Sequence, residues 1–268
     1  MTAAVRSAEV PVDPAWRETR RPLWLDGRRR SLVLRAARTA LVVLRGSHRF
    51  TVPIARLSRI RVVGDVALQA EAVALCLQHR IPIVFESAQG EPAGAALPLR
   101  PPSSRLAEVL ADLADSPHAR PVYEHWRRRA AMRMLVDWRD EAARHGHPVQ
   151  SGEFSERVRR HVYLGEPPMR RDVYAWAYSV TLGLLVEAGL PCSLRTSECD
   201  CLPLATDLAA LLAVSVEIRE GSIARAIPDT EALRAQALES QAGVLRDRLG
   251  GWIHRLQRAA LDVLEPCL

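Results

Sequence analysis

Asp207 is the only ionisable residue between Leu202 and Val216, a carboxyl set in an otherwise apolar helical stretch. A carboxylate there needs a cation or hydrogen-bond donors, so the chemistry open to it is metal ligation or pairing with an arginine. The nearest soft ligands are Cys192, Cys199 and Cys201, which share one loop with Glu198 and Asp200. Three thiolates can begin a zinc site. Cys-x-Cys without a second pair is nevertheless poor zinc spacing and no fourth ligand is evident, so zinc is the lesser reading. His145 and His147 flank Gly146 and read as a helix end rather than as ligands.

The second chemistry is cationic. The chain has no lysine, so its 37 basic residues are all Arg. Residues 17 to 61 hold thirteen Arg against Glu18 and Asp26, whereas residues 194 to 268 hold eight Arg against eleven acids. Guanidinium forks match phosphate oxygens and release counterions, so this asymmetry points to a polyanion partner for the front half. The competing reading is a solvated sheet face.

The positioning elements follow from periodicity. Leu23 to Gly27, Ser31 to Arg35 and Thr39 to Arg45 read as three strands, with turn signals at Asp26-Gly27 and Gly46-Ser47. Arg49 to Thr51 and Ile60 to Val63 add two more, the latter ending at Gly64. A helix is expected from Ala67 to Arg80, stopped by Pro82, and Ile81 to Phe85 then read as a buried strand. Gln89-Gly90 and Pro92 to Gly94 read as a hairpin or loop tip.

After Pro101 every expected element is helical. Ser104 is placed to cap a helix with Leu106, Val109, Leu110 and Leu113 on one stripe. A longer helix over 121 to 145 carries Trp126, Ala130, Met134, Trp138 and Ala142 at intervals of four, a core stripe. Its other faces carry Arg127, Arg128, Arg129, Arg133 and Arg139, with an Arg133 to Asp137 pair. Residues 152 to 164 can form a short basic helix containing Arg159 and Arg160. Residues 172 to 188 read as a central buried helix with Gly189 at its C-cap, and Pro203 to Ile218 as another. Two further helical stripes meet around Gly250-Gly251 between Thr230 and Leu264.

These elements define an α+β chain. A flexible arm is expected over 1 to 20, a β-rich domain with one helix over 21 to 99, a Pro/Ser linker over 100 to 104, and a larger all-α domain over 105 to 268. The 48% hydrophobic share supports real cores. No run reaches the roughly eighteen apolar residues of a membrane span, the first residues lack an apolar signal region, and five cysteines without secreted-domain spacing favour a reducing cytoplasm.

In this order the features resemble the CRISPR adaptation integrase, the metal-dependent DNA endonuclease that inserts spacers into CRISPR arrays. The resemblance is carried by LWLDG, two short strands, VPIARLSRIRVVGDVAL, an Ala/Leu helix and IPIVFESAQG. In the helical half it continues with RRRAAMRMLVDWR, AYSVTLGLLVEAGLP and ESQAGVLRDRLGG. It covers about 23 to 250. The family's metal site uses a Glu, a His and an acid on three elements. Carried over, Glu156, seven residues before Tyr163, matches the Glu, with Glu153 and Glu141 as alternatives. Arg195 stands at the His position in Cys192 to Thr196, Asp207 keeps the first acid, and Ala210 stands where the acidic ligand is expected.

Arginine offers donors only, so the resemblance implies a degraded site with no metal, in which Arg195 fills the ion's place and neutralises Asp207. It further implies a cytoplasmic antiviral-defence protein that binds double-stranded DNA through Arg28, Arg29, Arg30, Arg127, Arg128, Arg129, Arg133, Arg159 and Arg160. The expected assembly is a homodimer, alongside the small ferredoxin-like adaptation partner. Two alternatives stay open: an active integrase whose displaced ligands, Glu156 and Asp207, hold Mg or Mn, and a nucleic-acid-binding regulator unrelated to CRISPR.

Overall fold

The computed structural model describes residues 20–99, 104–195, 201–223, 238–240 and 242–264, with the backbone alone at 195, 220–223 and 242. All but the last residue of the arm expected over 1 to 20, most of the linker, Cys199 with its acidic neighbours, and the start of the last helical stretch lie outside the described residues.

The first half is a mixed six-stranded sheet with one helix. Its strands are β1 (Arg21–Ala37), β2 (Ala40–Arg45), β3 (His48–Pro53), β4 (Leu57–Leu68), β5 (Ile83–Glu86) and β6 (Pro92–Ala96). Helix α1 (Ala70–Gln78) connects β4 to β5. The spatial order is β3-β2-β1-β4-β5-β6. The β1–β4 and β4–β5 pairs are parallel and the others antiparallel. Ala72 and Cys76 of α1 close over Leu25, Leu34, Leu41, Ile60 and Ile83 to form one apolar core.

The turn expected at Asp26-Gly27 is absent, and the two strands read on either side of it are one strand. Gly27 pairs with Gly64 of β4, and the parallel register slips between Gly27 and Leu32 before resuming at Leu32 with Val66. A Cβ on Gly27 would lie 2.2 Å from the Asp65 carbonyl oxygen, and Gly64 has φ +74°. These glycines therefore permit an irregularity between two closely packed strands, and β4 continues past Gly64 to Leu68. Helix α1 accordingly starts at Ala70, later than periodicity suggested. Gln89-Gly90, read as a hairpin or loop tip, lie in the turn of the antiparallel β5–β6 hairpin, whereas Pro92 to Gly94 belong to edge strand β6 itself, where Pro92 as the first residue costs no ladder hydrogen bond.

The second half contains α2 (Arg105–Asp115), α3 (Ala119–Arg144), α4 (Ser151–Val158), α5 (Arg171–Glu187), α6 (Leu204–Ile223) and α7 (Ala242–Leu264). Ser104 caps α2 by accepting from the Ala107 N–H at 3.1 Å. The α3 stripe from Trp126 to Ala142 is buried as its spacing required. His145 is the C-cap of α3, and Gly189, at φ +70°, follows the C-cap of α5.

Two expectations for this half fail. A small antiparallel pair, β7 (Leu194–Arg195) with β8 (Cys201–Leu202), interrupts the helices. Helix α7 runs unbroken through Gly250-Gly251, with Leu245, Leu249, Trp252, Ile253, Leu256 and Ala260 buried. Two helical glycines cost about 2 kcal/mol together, less than burial of this many large side chains returns.

The two halves meet across β4. Arg59 and Arg61 are only 4% and 5% exposed. Arg59 Nε donates to Ser179 Oγ at 3.2 Å, and its Nη2 makes an ion pair with Glu239, which also accepts from Trp176 Nε1 at 2.9 Å. Gly183, one turn beyond Ser179, leaves room for the arginine stem: a Cβ there would sit 3.7 Å from Arg59 Cδ. Burial pushes the Arg59 guanidinium down from its ordinary value, and Glu239 opposes that shift. Arg61 is held by both Glu86 oxygens at 2.5 and 2.7 Å and stacks 3.9 Å from the Trp24 ring centroid.

Removing one member of a buried pair strands its partner. Glu86→Ala is therefore expected to destabilise the protein by about 3–5 kcal/mol in urea unfolding. Asp137→Ala, which breaks the exposed Arg133 pair at 3.0 Å, is expected to cost less than about 1 kcal/mol.

Candidate functional site

Asp207 lies in the first turn of α6. Two backbone contacts set this helix start: the Ala205 N–H donates to the Cys192 carbonyl at 2.8 Å and the Asp207 N–H to the Pro203 carbonyl at 2.9 Å. The start of a helix suits a carboxylate, because free N–H groups concentrate positive potential there. The side chain points toward α3, where the Tyr123 hydroxyl donates to Asp207 Oδ2 at 2.9 Å. Arg127, one turn along α3 from Tyr123, adds a favourable charge.

A cavity of about 60 Å³ lies beside this contact, lined by Arg127, Met134, His161, Gly165, Glu166, Asp207, Ala210, Leu211 and Val214. It has room for roughly two waters. Burial pushes the Asp207 carboxyl above the ordinary range, with the Tyr123 hydrogen bond and Arg127 pulling the other way. Burial, reinforced by the Asp207 charge, drives the Tyr123 phenol far up, so it stays neutral and donates. His161 stands on a π-helical turn, Arg159–Tyr163, that continues α4. Burial pushes its imidazole down, and its Nδ1 is buried without a partner.

A hard divalent ion wants several converging oxygen or imidazole ligands. Here the Asp207 carboxyl is already bonded to a phenol, Arg127 offers donors only, and Ala210 offers nothing. Glu166 is taken by Arg160 at 2.5 Å. Among the described residues no group of three His, Cys, Asp or Glu is placed to hold a metal. The described residues therefore do not fit the ion that the resemblance implies.

The other site expectations scatter. Glu156 is exposed on α4 and paired with Arg159 at 2.6 Å. Glu153 pairs with Arg157 at 3.0 Å, and Glu141 with Arg219 at 2.8 Å and Arg248 at 3.8 Å. None of the three lines the Asp207 cavity. The Arg195 backbone pairs with Cys201 in the small hairpin, and its side chain lies outside the described residues. Among the described residues, Arg127 shares the lining of the cavity with Asp207.

Arg127, expected on a DNA-facing surface, is thus half-buried at the cavity. Of the others, Arg28 is clasped by Asp26 at 2.7 Å, while Arg29, Arg30, Arg128, Arg129 and Arg133 are exposed. Arg159 and Arg160 sit in the pairs given above, Arg160 half-buried. Cys76 is a core residue whose thiol burial raises to about 11, Cys192 is half-buried and Cys201 exposed. Tyr123 and His161 escaped the sequence reading. The only local signal was the four-residue step from Tyr123 to Arg127, which places both on one side of α3.

A mixed β-sheet lobe carrying one helix, followed by a helical bundle, is also the fold of solved Cas1 proteins. The sequence comparison agrees: residues 28–121 match the family described as CRISPR associated protein Cas1, and the chain is Cas1-like. A Cas1 protein from Thermotoga maritima superposes with TM-score 0.67 at 16% identity, over 90% of this chain and 96% of that one. The protein of a TtCas1–DNA complex superposes with TM-score 0.52 at 12% identity, over 91% of each chain. A chain of a Cas6-RT-Cas1–Cas2 complex does so with TM-score 0.52 at 14% identity, over 88% of this chain and 32% of that longer one. No curated protein matches the sequence.

A carboxyl raised by burial is favoured in the folded state when protonated, so its contribution to stability falls as pH rises from the unfolded pKa through the folded one. Asp207→Asn, which keeps an acceptor for Tyr123, is expected to raise the melting temperature at pH 7.5, with the gain shrinking as pH drops into the ordinary carboxylate range. Tyr123→Phe is expected to lower stability by about 1–3 kcal/mol, the cost of a buried acceptor left unpaired.

Proposed function

We propose that this chain is a DNA-binding protein of the Cas1 type, catalytically impaired, that serves an adaptation or antiviral-defence complex in the cytoplasm. The observation that carries the impairment is the Asp207 contact: the Tyr123 phenol donates to the carboxyl that a metal would use, and Ala210 on the same cavity wall offers no ligand. No step of phosphodiester chemistry is assigned to the described residues. DNA binding is supported by the exposed Arg29, Arg30, Arg128, Arg129 and Arg133, and by the TtCas1 relative, which is a DNA complex.

In this reading the domains are 21–99 and 105–268 with a linker over 100–104, each half carrying its own apolar cluster. A Cas2-type partner is drawn from the Cas1–Cas2 relative, and the partner expected is small and ferredoxin-like. The chain pairs as a homodimer through the sheet lobe. Leu23, Val43, Phe50 and Val52 line a recess of about 350 Å³, and Phe50 is 54% exposed. Val43 and Phe50 are cross-strand partners, so the core face of the sheet continues to this edge. Phe50→Asp is expected to convert a dimer into a monomer by light scattering; an unchanged mass removes this face as the contact.

Two assays test the main reading. Duplex affinity is expected to fall steeply with salt, and Arg28→Glu with Arg29→Glu and Arg30→Glu to flatten the slope by about two to three counterions. Strand transfer into a supercoiled plasmid carrying repeats is expected to stay at background with or without manganese. Manganese-dependent products that disappear in Asp207→Ala would establish the active enzyme instead.

A further inference from the structure

Helix α7 retains two glycines where alanine would form the helix better. One of them, Gly251, lines a recess of about 350 Å³ between α3, α6 and α7. A Cβ there would meet nothing nearer than Arg255 Nη2, at 3.7 Å, so no tight packing requires the glycine, and the absent side chain leaves the recess open. The face of α7 toward the recess runs Val244, Asp247, Arg248, Gly251 and Arg255, a three-and-four spacing that adjoins the core stripe of Leu245, Leu249 and Ile253. Met134 of α3 and Trp252 of α7 form the buried apolar part of the wall, and Val244 stands in it 61% exposed. Met134 is the one residue that this recess shares with the lining of the Asp207 cavity, so the two spaces are separate.

Three guanidinium groups border the recess. Arg219, whose side chain is 13% exposed, donates from Nε to Glu141 at 2.8 Å and from Nη1 to Ser215 Oγ at 3.2 Å, contacts that fix the plane of its fork. Arg248 Nη2 lies 3.8 Å from the same Glu141, a loose pair. Arg255 is exposed and in no ion pair among the described residues. Of the acids, Asp137 is engaged by Arg133 at 3.0 Å and Glu141 by two arginines, while Asp247 lines the recess in no ion pair among the described residues. Arginine forks match phosphate oxygens. A carboxylate in the same recess repels a bare anion and calls for hydrogen-bond donors on the ligand, and the wall of Trp252, Met134 and Val244 calls for a body of low polarity. A phosphate, hydroxyl or amino donors and a flat, weakly polar ring are combined in a nucleotide. Inorganic phosphate lacks the body, and an aliphatic phosphate lacks the donors.

We propose that the recess between α3, α6 and α7 binds a nucleoside monophosphate, with Arg219, Arg248 and Arg255 on the phosphate, Trp252 and Val244 against the base, and Asp247 accepting from the sugar hydroxyls. The assignment stands apart from the DNA-binding reading above, since none of the exposed arginines invoked there lines this recess.

Isothermal titration calorimetry of the full chain with AMP, GMP, CMP and UMP tests it, with inorganic phosphate, the matching nucleoside and a DNA duplex as the other arms. At least one monophosphate is expected to bind at one per chain with a Kd of roughly 10–100 µM, and inorganic phosphate and the nucleoside at least about tenfold more weakly. Two variants place the ligand. Arg255→Gln removes a phosphate contact and is expected to weaken binding about tenfold or more, the worth of a charge-assisted hydrogen bond. Gly251→Leu keeps every charge, improves helix propensity and fills the recess, so it is expected to abolish binding with the melting temperature unchanged or higher. If Gly251→Leu melts lower, Arg255→Gln, a change at an exposed side chain, decides. Absence of saturable binding by all four monophosphates overturns the proposal. So does inorganic phosphate that binds as tightly as the best nucleotide, which makes the recess a bare anion site, and so does nucleotide binding that either folded variant leaves unchanged, which places the ligand elsewhere. Duplex binding that is lost in both variants while the monophosphates give no heat assigns the recess to a DNA backbone and also overturns it.

Discussion

Arg59 reaches from the sheet into the helical half, and the relation of the two halves turns on how its charge is met. A guanidinium at 4% exposure must be neutralised and hydrogen-bonded where it lies, because water cannot do so. Glu239 provides the charge, Ser179 an acceptor, and Trp176 shares the same carboxylate from α5. These directional contacts have one satisfactory arrangement, so they fix where α5 lies against β4. Helix α5 then packs beside α6, and the turn after it, through the Cys192 carbonyl, holds the start of the helix that carries Asp207. The electrostatics of the sheet are in this way connected to the geometry of the cavity.

The Asp207 cavity is a second case of a buried charge seeking a partner, with a different outcome. The helix start favours negative charge, but desolvation outweighs it and raises the carboxyl. A neutral phenol is a suitable companion because it donates to either protonation state of the acid. Arg127 adds charge from the same helix one turn away. The hydrogen bond from Tyr123 to Asp207 joins α3 to α6. His161 adds an imidazole to the same wall with one nitrogen unpaired.

Arginine serves three physical ends in this chain. Arg59 and Arg61 are buried tethers, and Arg61 also stacks on Trp24. Arg139 and Arg157 lie over Phe154 and Trp138, fastening α4 to α3 through their planar faces. Most of the other described arginines face solvent, several beside a carboxylate three or four residues away, as the Arg133 to Asp137 spacing foretold, while Arg127, Arg160 and Arg219 are partly buried. A local surplus of arginine therefore overstates the charge offered to a partner, since two of the thirteen in the front stretch are consumed inside the protein.

Periodicity alone determined the α+β order, the α2 cap, the buried stripe of α3, the burial of α5 and the glycine that ends it, because each depends on residues within one or two turns of one another. It also marked Asp207 as a carboxyl in need of a partner. Tertiary structure decided who that partner is: Tyr123 is 84 positions away, and nothing in local spacing ranks it above Arg195. It likewise decided that Gly27 and Gly64 accommodate close strands instead of a turn, and that α7 passes through two glycines, since in each case the deciding contact comes from a distant element. Local propensities are worth fractions of a kilocalorie per residue, whereas burial, desolvation and ion pairing between elements are worth several, so tertiary contacts prevail where the two conflict.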